Sequence, residues 1–185
     1  MKILDIEYTP NPNAVKFIVD EPLTTMGHNR TFNTVDEAED VELAKAIFAI
    51  DGVESVYFAG TWLTVTQNGG HDWRALLRVL AEPIRAAEGP RLASSDAPAQ
   101  DDDGERPGMD DPRVALIQQI LDEQIRPYLE FDGGGLEIHG LVDDQLFIKY
   151  HGACGTCPSS TTGTMMAIEG IIQREVDPDI EVITI

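Results

Sequence analysis

Cysteine and positive charge are both scarce in this 185-residue sequence. Basic side chains number 13 against 33 acidic ones, for a net charge of −20 and a pI near 4.3. Nucleic-acid binding begins with a basic footprint, so binding to DNA or RNA is not expected; the acidity serves solubility. Lysine occurs only at Lys2, Lys16, Lys45 and Lys149. None follows a GxxxxG loop, which removes the usual phosphate cradle of an ATPase. No apolar run approaches the roughly 20 residues that span a bilayer, and Met-Lys-Ile-Leu-Asp lacks the apolar core of a secretory signal. A cytosolic protein without membrane association is the expectation. Cysteine occurs twice, at Cys154 and Cys157. Two thiols three positions apart exclude a disulfide framework and point to metal ligation or redox exchange.

What is present is enough to fold. A hydrophobic share of 42% and a charged share of 25% are those of a globular protein. Composition breaks once, where GPRLASSDAPAQDDDGERPGMDD brings Pro, Gly, Ser and an Asp triplet with few large apolar side chains. Such a stretch cannot bury enough surface to offset its ordering entropy. The sequence therefore predicts domains at 1–89 and 111–185, joined by a flexible, disordered acidic linker over 90–110.

In the first domain, Leu4, Ile6 and Tyr8 alternate with polar neighbours, as do Val15, Phe17 and Val19 beyond the turn Thr9-Pro-Asn-Pro-Asn13. This predicts a hairpin. Thr34-x-x-Glu37 has the form of a capping box ahead of a helix carrying Val41, Ala44, Ile47 and Phe48, ended by Asp51-Gly52. A second hairpin is expected from 53–58 and 61–66, and Asp72 should cap a helix with Trp73, Leu76, Leu77 and Leu80 on one face. His28 and His71 stand singly in loops and are expected at the surface, whereas Trp62 and Trp73 suit packing.

The second domain opens with a helical stripe of Val114, Ile117, Leu121, Ile125 and Tyr128, in which Pro127 should kink or restart the final turn. Gly133–Gly135 then permit a helix-to-strand turn. Two strands follow, 136–142 and 145–150, across Asp143-Asp144, then a helix through Thr161, Met165, Ile168 and Ile172, and a last strand at 180–185. The expected class is α+β in both domains, with the order αββαβ in the second.

Cys154 and Cys157 fall between that hairpin and the following helix, where Pro158 suits the first helical position. Unpaired amides and the helix dipole there favour thiolates, and Ser159, Ser160 and Thr161 offer further donors. A thioredoxin-type pair belongs near the start of a βαβ pattern, and too little chain follows for that fold. Zinc and iron–sulfur sites normally take four protein ligands. His151 gives an HxxCxxC spacing but continues the alternation of a strand. The economical arrangement is two chains about a two-fold axis, each contributing Cys154 and Cys157.

The run Ile125-Arg-Pro-Tyr-Leu-Glu-Phe-Asp-Gly-Gly134, followed by Gly152-Ala-Cys-Gly-Thr-Cys-Pro-Ser-Ser160, resembles the NifU-like, or Nfu, family of iron–sulfur cluster scaffolds and carriers. Thr9-Pro-Asn-Pro-Asn13, Lys16-Phe17, Gly52-Val53 and Trp62-Leu-Thr-Val-Thr66 resemble its amino-terminal domain. The resemblance implies that Cys154 and Cys157 ligate a [4Fe–4S] cluster; a [2Fe–2S] cluster is the alternative cofactor, and the sequence does not choose between them. The cluster would be shared in a homodimer, received from assembly proteins and passed to apo iron–sulfur proteins. Gly135 stands where the family often has an acidic residue. The expected protein is a carrier and not an enzyme; a thiol–disulfide oxidoreductase and a structural zinc dimer are the alternatives.

Overall fold

The computed structural model describes residues 1–24, 28–87, 106–156 and 158–185, with the backbone alone over 158–162. The chain divides into two compact units, Met1–Asp102 and Asp103–Ile185, and both are α+β. Residues 88–105, which hold most of the expected linker, lie outside the described residues.

The first unit is an antiparallel sheet of order β1-β2-β5-β4-β3. Its strands are β1 (Ile3–Tyr8), β2 (Ala14–Val19), β3 (Arg30–Phe32), β4 (Val53–Ala59) and β5 (Trp62–Gln67), and its helices are α1 (Glu42–Phe48) and α2 (Trp73–Ala86). Strand alternation sends Val15, Phe17, Leu63, Val65, Val56 and Phe58 to one face, where Ala44, Ile47, Leu76, Leu80 and Ile84 of the helices complete a core. Both expected hairpins form, and Asp72 caps α2 by accepting from the Arg74 amide at 2.9 Å.

The capping box forms but does not start the helix. Thr34 Oγ1 accepts from the Glu37 amide at 3.2 Å, and Glu37 Oε2 accepts from the Asn33 amide at 2.7 Å. It tightens a run of turns over 35–40, and α1 begins only after Val41, which offers no side-chain cap. β3, too short to alternate visibly, is anchored by buried Phe32 and by Arg30, whose guanidinium holds both oxygens of Asp40 at 2.9 Å. The tryptophans do pack: Trp62 meets Tyr57 edge-on and lies under Lys16 Nζ, while Trp73 donates to the Pro12 carbonyl at 2.8 Å. His28 is exposed, and His71 is half-buried, 3.8 Å from Asp51.

The second unit contains α3 (Pro112–Gln124), α4 (Arg126–Phe131), β6 (Gly134–Val142), β7 (Gln145–Gly152), α5 (Pro158–Glu175) and β8 (Glu181–Thr184). Its sheet runs β6-β7-β8, antiparallel across the hairpin and parallel between β7 and β8, so α5 is the crossover. The core gathers Val114, Ile117, Leu121, Leu136, Ile138, Leu146, Ile148, Ile168 and Ile172.

Two expectations need correction here. The helical stripe does not run on to Tyr128, which is 72% exposed; the chain breaks at Ile125 and restarts at Arg126-Pro127, turning Leu129 inward instead. Residues 106–110, assigned by composition to the linker, belong to this unit. The Pro107 carbonyl accepts from the Leu141 amide at 2.9 Å, and Met109 packs on the core. Polar composition concealed this strap because its attachment is largely backbone.

Candidate functional site

β7 delivers the chain to the cysteine turn. Gly152 takes φ +60°, a conformation that side chains disfavour, and reverses the strand. The Gly155 amide donates back to the Gly152 carbonyl at 3.1 Å, and Ala153 donates to the Gly133 carbonyl at 3.1 Å. Gly133, at φ +77°, ends α4, so the glycine turn and the cysteine turn are stitched together. The expected helix-to-strand role of the triple glycine is filled by Gly133, while Gly134 and Gly135 already lie in β6.

Gly134 has a second function that only the fold reveals. A Cβ there would stand 2.5 Å from Cys154 Sγ and 2.7 Å from the His151 carbonyl. The sulfur therefore rests directly on the Gly134 backbone. Cys154 is 3% exposed and belongs to the core cluster. Cys154 is thus shielded from solvent in this state: the glycines around it allow the turn to close over it. Tyr150 lies beside it, its hydroxyl buried without a hydrogen-bond partner among the described residues. Burial, and secondarily the charge of the Cys154 sulfur, push the phenol up to about 12.

Pro158 does open α5, as its missing amide hydrogen favours. Cys157, together with the side chains of Ser159, Ser160 and Thr161, lies outside the described residues. His151 Nε2 is 3.5 Å from Glu137 Oε2, on the sheet face opposite the core. Arg106 Nη2 reaches the other oxygen at 2.8 Å, and His139 Nε2 is 4.0 Å from Oε2. The His151 contact first, and Arg106 next, hold the Glu137 carboxyl down at about 2 despite partial burial. Sequence reasoning missed Glu137 and Arg106. The alternation of β6 and β7 places Glu137 opposite Lys149 and diagonal to His151, but Arg106 carries no such periodicity. Among the described residues, no group of three or more His, Cys, Asp or Glu side chains could hold a metal ion. The full sequence offers two cysteines, Cys154 and Cys157.

A pair of α+β units, the second carrying a CxxC segment in sequence between a hairpin and a crossover helix, defines a two-domain α+β protein. Residues 3–88 match the family described as "Scaffold protein Nfu/NifU N terminal", and residues 117–183 match the "NifU-like domain". The human "NFU1 iron-sulfur cluster scaffold homolog, mitochondrial" is 34% identical over 176 residues, covering 94% of this chain and 67% of that protein. "NifU-like protein 5, mitochondrial" of Arabidopsis thaliana is 31% identical, covering 94% of this chain and 64% of its own length. The Drosophila ananassae protein with the same name as the human one is 27% identical, with coverages of 94% and 60%. The chain belongs to the Nfu/NifU family. It spans about two thirds or less of the length of these relatives.

The cytosolic expectation is overturned by these relatives, all three of which are named mitochondrial. Its premise was too narrow. A missing apolar signal speaks to secretion, whereas mitochondrial transit segments are amphipathic and basic. No helix among the described residues is long and apolar enough to cross a membrane.

Proposed function

We propose that the protein is an iron–sulfur cluster scaffold and carrier, in which Cys154 and Cys157 of two copies supply the four thiolates of one [4Fe–4S] cluster. The observation that carries this reading is the incomplete site: a chain with two cysteines in all, set between β7 and α5 of a NifU-like domain. Four thiolates are the usual ligand set of such a cluster, so the second pair comes from a second copy. Relatives named as iron–sulfur cluster scaffolds support the cargo. The cluster is cargo and not a catalytic centre: it is received from assembly proteins and handed to apo iron–sulfur proteins, with no covalent product made. A site held only where two copies meet can release its load without unfolding either.

Closure of the turn over Cys154 adds a step. The sulfur must emerge from its glycine bed before iron reaches it, so loading is coupled to local opening of residues 152–156. Anaerobic reconstitution should give close to four irons and four sulfides per dimer, by the four-thiolate rule. Activation of an apo [4Fe–4S] enzyme by the loaded protein completes the test. About two irons per dimer would assign a [2Fe–2S] cargo instead. A loaded monomer, or a colourless zinc protein after expression in ample iron, would overturn the shared cluster.

A further inference from the structure

Glu137 stands at the centre of a short chain of charges. Arg106 approaches one of its oxygens at 2.8 Å and His151 the other at 3.5 Å, while Lys149 sits opposite in the strand register and His139 lies 4.0 Å away. Both main partners are fixed by backbone. Arg106 precedes Pro107, whose carbonyl accepts from the Leu141 amide. Gly140 lets that strap lie close, since a Cβ there would come 2.5 Å from the Pro107 carbonyl. His151 is the penultimate residue of β7, three positions before Cys154, and its carbonyl lies over Gly134 beside the sulfur.

We propose that Glu137 is a positioning residue for Cys154: held by Arg106 on the strap, it grips the His151 ring, fixes the end of β7 and keeps the cysteine turn closed over the sulfur. Release of this grip opens the turn and presents the thiol. The inference deepens the carrier reading, on which its importance for cluster loading rests, yet the closure itself is a property of the unloaded chain. Strand positions alone do not produce it. Glu137 could serve the sheet with any β-forming side chain, whereas a two-sided grip needs a carboxylate with a cation on one side and an imidazole on the other.

The test uses the full apo chain carrying Cys157→Ser, so that only Cys154 reacts, and follows its alkylation by iodoacetamide. Glu137→Gln and Arg106→Ala should each raise the rate about tenfold, the scale of losing one hydrogen bond to a charged group, and Arg106→Lys should restore most of the protection. Amide exchange at Leu146 and Ile148, in the buried part of β7, should stay unchanged. Equal alkylation rates in parent and variants would overturn the proposal. So would a rise matched by equal loss of protection at Leu146 and Ile148, since Glu137 would then merely support the fold. With both cysteines restored, the Glu137→Gln chain should take up its cluster faster than wild type, because the turn that must open for loading is already released. A chain that shows the alkylation effect but never takes up a cluster would overturn the carrier reading and leave the positioning of Cys154 standing.

Discussion

Two glycines in the same domain should respond oppositely to one added methyl group. At Gly134 the new Cβ would meet Cys154 Sγ at 2.5 Å, the His151 carbonyl at 2.7 Å and Cys154 Cβ at 2.9 Å. Sulfur could rotate away, but a strand carbonyl and a Cβ cannot. Gly134→Ala should therefore destabilise the protein by about 1–3 kcal/mol, the range for overpacking, and reduce iron bound on reconstitution. Gly170, exposed within α5 with nothing among the described residues within 4 Å of its missing Cβ, makes the contrast. Gly170→Ala should stabilise by roughly 0.5–1 kcal/mol through helix propensity, with iron uptake unchanged. Urea midpoints and iron counts on both variants decide it; a silent Gly134→Ala would mean that the sulfur does not rest on that backbone. This contact could not be read from the sequence. The glycine run announced a turn, and Gly133 makes it, but the second use of Gly134 depends on a residue twenty positions away.

Arg113 joins three elements of the second unit. Its guanidinium meets Asp111, the cap of α3, at 3.0 Å, Asp144 of the hairpin turn at 3.0 Å and Asp177 after α5 at 3.1 Å, and it donates to the Asp143 carbonyl at 2.8 Å. Hydrogen bonding to Arg113 holds the Asp111 carboxyl below its ordinary value of 3.8. A carboxylate with a lowered folded-state pKa contributes stability that is full above the unfolded value and fades as pH falls through the folded one. Arg113→Ala also leaves Asp111, Asp144 and Asp177 to repel one another. The variant should lose most stability at pH 7, and the gap to wild type should narrow below about pH 4, as the carboxylates become protonated. Urea midpoints at pH 7 and 3.5 measure both; a gap that is constant with pH would show the arginine acting through packing alone. Elements were legible wherever a periodic face met a turn signal, as in both hairpins of the first unit and in α2. They were not where tertiary contacts overrode local pattern. The Thr34–Glu37 box closes turns short of α1, β3 is too brief to alternate, and the 106–110 strap is held by backbone that composition cannot register.

At the scale of the whole molecule, net charge and the proposed shared cluster pull against each other. Each copy carries −20, so bringing two together concentrates like charge that the cluster does not neutralise, since four thiolates add to it. Neither the turn chemistry of Cys154 nor the fold of either unit relieves that repulsion; mobile counterions do. At about 10 mM ionic strength charges act over roughly 30 Å, and at about 150 mM over roughly 8 Å. The loaded dimer should therefore be tighter at about 150 mM salt than at about 10 mM, with the dissociation constant falling as salt rises. Sedimentation velocity of the loaded protein, with detection in the visible band of the cluster, reads this directly. Affinity that weakens with added salt would mean that the two copies meet through complementary charges strong enough to outweigh the repulsion of their net charge.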